Sequence, residues 1–318
     1  MRSKKRIIIT LIVLIIIASC TLGLTLLSKE DSQFADTASV NRYHISIAAS
    51  SGVAALSLAG PLSDNEFDID YEIAVDNDAL LSEFTAAKQD LIIAPINLGL
   101  NQIKNNDTYR LLGIVSWGNY HIVGNTRRYQ SINAFGPDSI PGVVLDSVHD
   151  IIGSKVAIDY LDSSSEVASK MLEEGEHVGL MQEPMLTKIR AAYASQNEGE
   201  ELFELFDLQA LYEEETGFDN YPVNAIFIKD ELLHGDFTGI IEFISRLDNS
   251  IQSFNANSSK IASLPIEFEK LGFVSPELLS DVYPRLALNF IYANECVDEI
   301  NALLKLFGLK LTSDLYVK

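Results

Sequence analysis

Six times along this chain a short apolar stretch gives way to a polar turn, and five of those turns lead into a helical pattern, the one at 116–119 continuing extended over 121–124. That repetition limits what the chain can fold into. The turns are Ser50-Ser51-Gly52, Pro95-Ile96-Asn97, Ser116-Trp117-Gly118-Asn119, Gly136-Pro137-Asp138-Ser139, Asp162-Ser163-Ser164 and Gln182-Glu183-Pro184. The clearest examples are residues 132–141, INAFGPDSIP, and 178–188, VGLMQEPMLTK. Strands that alternate with helices build open α/β sheets, and such sheets bind ligands at the carboxyl ends of their strands. Polar turn residues before an apolar periodic run mark helix starts. The alternation occurs in two blocks, followed by a mostly helical tail from residue 230. We therefore expect two doubly wound α/β lobes, with three of the turns in each, and a helical C-terminal tail over the first lobe.

Several local expectations follow from pattern. Strands are expected at 43–49, 70–75, 91–94, 109–115, 132–135, 154–159, 177–181, 202–207 and 223–228. The run LIIA at 91–94 is apolar on both faces and reads as a central strand. One long helix is expected over 285–306, with Cys296 buried within it rather than acting as a nucleophile. If each lobe is a parallel sheet, all its strand ends share one edge. Two lobes facing each other at those edges would focus the six turns on one cleft.

The candidate ligand-binding residues are Ser50, Ser51, Gly52, Pro95, Asn97, Ser116, Trp117, Asn119, Asp138, Ser139, Tyr160, Ser163 and Glu183. They offer hydroxyls, amides, backbone N–H groups, an aromatic wall and a carboxylate, which is an inventory for orienting a small molecule. Each also has a structural reading: a Ser or Asn before a helix is commonly an N-cap, and the single Trp can belong to the core. None of the six turns contains Lys or Arg, so paired guanidinium recognition of an anion is not available within them. With Glu183 and Trp117 present, a neutral or cationic nitrogen-containing heterocycle is favoured, and sulfonate or nitrate is the alternative. The sequence contains no His-Glu-x-x-His, Gly-x-Ser-x-Gly, Walker or Gly-x-Gly-x-x-Gly motif, and its five His residues lack metal-ligand spacing. We expect no catalytic residue, no metal and no cofactor.

Charge and the N-terminus bear on location. The formal net charge is -22, with 23 basic and 45 acidic residues. A surface that acidic repels nucleic acid and anionic lipid, so attachment to a membrane would need an anchor. The chain begins with the basic stretch MRSKKR and an apolar run of about twelve residues, short for a membrane span and suited to a signal peptide. The run ends Ile17-Ala18-Ser19-Cys20, which resembles the bacterial lipobox. Residues 1–19 are thus expected to be a signal peptide, Cys20 the lipidated residue, and 20–41 a lipidated tether. The competing reading is an uncleaved anchor helix over 7–27. Either places the rest outside the cytoplasmic membrane, and with Cys20 lipidated, no intramolecular disulfide remains to Cys296.

In this order the segments ISIAASSGVAAL, LIIAPINLGL, INAFGPDSIPGVVL and GLMQEPMLTK resemble the substrate-binding proteins of bacterial ABC importers. The nearer likeness is to the branch that binds nitrate, sulfonates, taurine and thiamine precursors, over about residues 43–230. The resemblance implies a type II periplasmic-binding fold with hinge segments near 125–132 and 220–225. The lobes would then comprise 42–128 with 225–318, and 129–224. It also implies capture of a small molecule by lobe closure, delivery to an ABC permease and its ATPase, and a monomer. Two other readings remain open: an enzyme on the same fold acting on a pyrimidine or menaquinone precursor, and a receptor or docking lipoprotein.

Overall fold

A computed structural model describes residues 43–318, apart from 105, 236 and 274. The expected signal peptide, the lipidated Cys20 and the tether lie outside the described residues. The chain runs β1 (Tyr43–Ser50), α1 (Val53–Leu56), α2 (Ala59–Leu62), β2 (Phe67–Ala74), α3 (Asn77–Ala86), β3 (Leu91–Pro95), α4 (Ile96–Ile103) and β4 (Tyr109–Trp117). It continues β5 (Tyr120–Gly124), β6 (Ser131–Phe135), α5 (Ile140–Ser147), α6 (His149–Gly153), β7 (Ala157–Leu161), α7 (Ser164–Lys170), β8 (Val178–Gln182), α8 (Met185–Gln196), β9 (Phe203–Asp207) and α9 (Leu208–Thr216). Then come β10 (Pro222–Lys229), α10 (Thr238–Ala256), α11 (Pro276–Val282), β11 (Leu288–Tyr292) and α12 (Val297–Leu306).

Two mixed sheets result. One has six strands in the order β11-β4-β10-β3-β1-β2, the other five in the order β7-β6-β8-β5-β9. Both faces of the six-stranded sheet are covered, and the period of two shows it residue by residue. On β3, Ile92 and Ala94 join one buried cluster while Leu91 and Ile93 join the other. On β10, Ala225 and Phe227 go with the first pair, Ile226 and Ile228 with the second. Helices start where side chains accept the unpaired N–H groups of a first turn: Asp76 from Ala79, Ser163 from Glu166, Asp207 from Gln209 and Ser275 from Leu278.

The sheets are not purely parallel, as the expected single edge of strand ends had required. β10 runs antiparallel to β3 and β4, and β5 antiparallel to β8 and β9. The chain passes between sheets at Gly118–Asn119 and again over 217–221, so β5 belongs to the five-stranded sheet instead of lying before a hinge at 125–132. The lobes of this structure are therefore 43–117 with 222–318, and 120–216. At the crossings, the Gly118 N–H donates to Tyr221 O at 2.9 Å and lies 3.1 Å from Asn220 Oδ1. A Cβ on Gly118 would fall 2.3 Å from the Tyr221 ring, which is why the first crossing carries glycine.

The tail departs from expectation in two ways. The helix expected over 285–306 is split, because Leu288, Asn289 and Phe290 alternate buried, exposed, buried, and β11 forms the edge of the sheet against β4. Ala287, at φ 51°, turns the chain into that strand. Second, α10 and α11 cover the first lobe as expected, but α12 packs against both β10 and α5 of the second lobe. Strand β7 also begins three residues later than expected. No described helix is long and apolar enough to cross a membrane.

Candidate functional site

Because β1, β3 and β4 run parallel and β10 opposes them, three strand ends and one strand start meet at one edge of the first sheet. In the second sheet, β6 and β8 end where β5 begins. These two edges border a cleft of about 670 Å³. The first lobe lines it with Ser50, Ser51, Gly52, Pro95, Asn97, Ser116 and Trp117, and Asn119 stands at the crossing. The second lobe contributes Asp138, Ser139 and Glu183. Eleven of the thirteen residues singled out in the sequence thus share one cavity. Tyr160 and Ser163 do not: the Tyr160 hydroxyl donates to Asp146 Oδ1 at 3.0 Å, and Ser163 caps α7.

Several lining groups are already engaged. The Ser51 and Gly52 N–H groups donate to Ala74 O and Leu271 O, so they do not point into the cleft as the turn had suggested. The Ser139 hydroxyl donates to Gly136 O at 2.8 Å. Ser116 Oγ accepts from both the backbone N–H and the side-chain amide of Asn224, at 3.2 and 2.8 Å. Trp117 is only 4% exposed, and its indole N–H donates to Asn289 O at 2.9 Å. It is a packed residue that shows one edge to the cavity.

Glu183 stands in the wall but is not an open counter-charge. It is 1% exposed, Arg285 Nε lies 2.8 Å from its Oε1, and Thr187 donates to both its oxygens. The six turns lack a cation, but Arg285 brings one from the first lobe. Among the described residues no Lys, Arg or His lines the cleft itself, and Asp138, exposed at the rim, is the other carboxylate. His121 stays outside, 3.6 Å from Glu204.

Sequence reasoning missed Asn77, Asn101, Gln102, Tyr120, Phe135 and Asn224, all of which line the cleft. Asn101 was within reach, since it follows Asn97 by one helical turn on α4. Tyr120 and Asn224 were hidden by the expectation of parallel sheets, because they sit at the starts of antiparallel strands. Together with Asn97, Asn119 and Gln182 the cleft is rich in carboxamides, each both donor and acceptor. Tyr120 stacks parallel on Tyr221, centroids 6.3 Å apart, and Tyr212 meets Tyr221 edge-on at 5.0 Å. Burial pushes the phenols of Tyr120 and Tyr221 well up and that of Tyr212 up to about 12, so this aromatic block stays uncharged at neutral pH. Among the described residues no group of three His, Cys, Asp or Glu is placed to hold a metal ion.

No protein-family model and no curated protein sequence matches the chain. Solved structures do. An ABC transporter protein from Parabacteroides distasonis superposes with a TM-score of 0.71 at 15% identity, covering 86% of this chain and 98% of that one. The chain has the periplasmic-binding-protein fold. The periplasmic aliphatic sulphonate binding protein of Escherichia coli aligns with a TM-score of 0.60 at 9% identity, over 84% of this chain and 93% of that one. The ligand-binding component of an ABC-type import system from Staphylococcus aureus, a structure with zinc bound, gives 0.57 at 13% identity, over 87% and 97%. At these identities what is shared is the fold. In the periplasmic-binding fold described above, the carboxamide-rich cleft lies between the two lobes.

Proposed function

We propose that this protein is an extracytoplasmic solute-binding lipoprotein. It captures a small neutral or cationic molecule between its lobes and delivers it to an ABC import permease and its ATPase. Lipidated Cys20 would hold it as a monomer at the outer face of the cytoplasmic membrane. The observation that carries this reading is the 670 Å³ cleft, walled by hydroxyls, carboxamides and aromatic rings. Among the described residues its lining has no His, Cys or Lys to serve as nucleophile or neutral-pH base, which favours binding over turnover. Solved ABC-import binding proteins of the same fold support the same role.

The test is a thermal-shift screen of residues 29–318 against thiamine-precursor pyrimidines, riboflavin-like heterocycles, taurine, alkanesulfonates and nitrate. A solute at 100 times its Kd adds about 2.7 kcal/mol and raises the Tm by several degrees. A hit among the heterocycles is expected. An anionic hit keeps the transport role and discards the neutral-or-cationic assignment. Chemical conversion of a bound solute would move the protein to the enzyme reading. Silence across the panel, with no solute carried through purification, favours a docking lipoprotein.

A further inference from the structure

Arg285 lies on the first lobe, in the short turn that follows α11. Glu183 and Thr187 lie on the second, where β8 hands over to α8. The guanidinium bridges these two places. Arg285 Nε lies 2.8 Å from Glu183 Oε1, and Nη2 donates to Thr187 Oγ1 at 3.0 Å. Thr187 braces the acceptor, its N–H 3.1 Å from Glu183 Oε2 and its hydroxyl 2.9 Å from Oε1. On its own lobe, Arg285 is steadied by Asp281, with Nη1 3.1 Å from the Asp281 carbonyl. Among the described residues no other ion pair joins the two lobes. The covalent connections are the two crossings at 118–119 and 217–221, which hydrogen-bond to each other.

Glu183 is 1% exposed, whereas the Arg285 side chain is 46% exposed. The acid is therefore the group that cannot do without its partner: a buried carboxylate deprived of its cation is left with an uncompensated desolvation cost. Opening the lobes strips Glu183 of Arg285 and keeps only the Thr187 bonds. Charge-assisted, braced contacts of this kind are the stronger class of hydrogen bond.

We propose that Arg285 is a positioning residue that clamps the second lobe onto the first through Glu183 and Thr187. It joins the two lobes in the arrangement described above and seats the Gln182–Pro184 turn in the cleft wall. This differs from closure driven by solute alone, since part of the interlobe attraction is built into the chain. It also fixes what Glu183 does: its charge is met by Arg285 and is not offered to the solute. The clamp does not rest on the proposed transport role, because every contact in it lies between this chain's own residues.

The experiment measures the distance between the lobes. Spin labels are placed at Thr85→Cys on α3 and Ser169→Cys on α7 of the full chain in detergent. Cys20→Ser is included, and buried Cys296 is left in place. Pulsed electron–electron distances are recorded without added solute. The clamped chain is expected to give a single short distance. Arg285→Gln should add a longer population, raising the open-to-closed ratio roughly tenfold or more. Arg285→Lys should restore part of the short one. Because Arg285→Gln strands a buried acid, Glu183→Gln serves as the second variant; it removes the charge without stranding one and should open the lobes in the same sense. Circular dichroism and melting establish that each variant is folded. The clamp is overturned if the folded variants superpose on the parent, or if the parent is already as open as they are.

Discussion

Trp117 lines the cleft yet is almost wholly buried against the first lobe. Read as a wall residue alone, its replacement would cost affinity and leave stability intact. Its burial and its bond to Asn289 O make it part of the packing between β4 and β11. We expect Trp117→Ala to cost about 3–5 kcal/mol in urea unfolding, the usual range for a large aromatic removed from a core. A loss below about 1 kcal/mol would return Trp117 to the cleft as a contact residue only. Cys296 behaves as the sequence suggested: it is 2% exposed, and burial pushes its thiol up to about 12. In residues 29–318 it should resist alkylation near pH 8 and react once the chain is unfolded. Because its pKa is raised, its contribution to stability is fully present below the unfolded thiol range near 8.5 and is lost as pH rises towards about 12. Glu183 was legible as a cleft residue from Glu-Pro at a strand end. Its partner was not, because Arg285 lies 102 residues away and no local pattern pairs them.

At the scale of elements, strands that are apolar throughout or that alternate cleanly were readable, as with LIIAP of β3 and VNAIFI within β10. The misread element was β11, whose five residues sit inside a long apolar run where periods of 2 and 3.6 cannot be separated by eye. Strand direction was equally out of reach, since nothing in TYRLLGIVSW or YHIVG says which neighbour will pair or which way it runs. That gap hid Tyr120 and Asn224 from the cleft. The crossings make a sharper test. Gly118 faces the Tyr221 ring, which is itself held between Tyr120 and Tyr212 and has little room to retreat. Gly118→Ala should cost about 1–3 kcal/mol, the range for overpacking. An unchanged melting temperature would show that the crossing yields.

For the whole molecule, the two lobes and the extreme charge were legible from alternation and composition, because both are sums over many residues. The relative position of the lobes was not, since it depends on α12 reaching α5 and on Arg285 reaching Glu183. A chain with a formal charge of -22 repels itself. Raising NaCl from about 10 mM to 0.3 M shortens the screening length from roughly 30 Å to under 10 Å. The melting temperature is expected to rise across that series. A fall would mean that attractive pairs, the Arg285 contact among them, outweigh the net repulsion.

The register of β4 on β10 sets Trp117 beside Pro222, which makes these strands the two arms of a hairpin whose tip has been opened to admit the second lobe. The intervening residues hold every strand of the second sheet and are synthesised in one piece. The first lobe is not: β4 emerges from the ribosome with neither of its neighbours, β10 and β11, yet made. The inserted lobe is therefore the part of the chain that can complete itself first, and the outer lobe must wait, one sheet edge bare, for its own C-terminus to arrive.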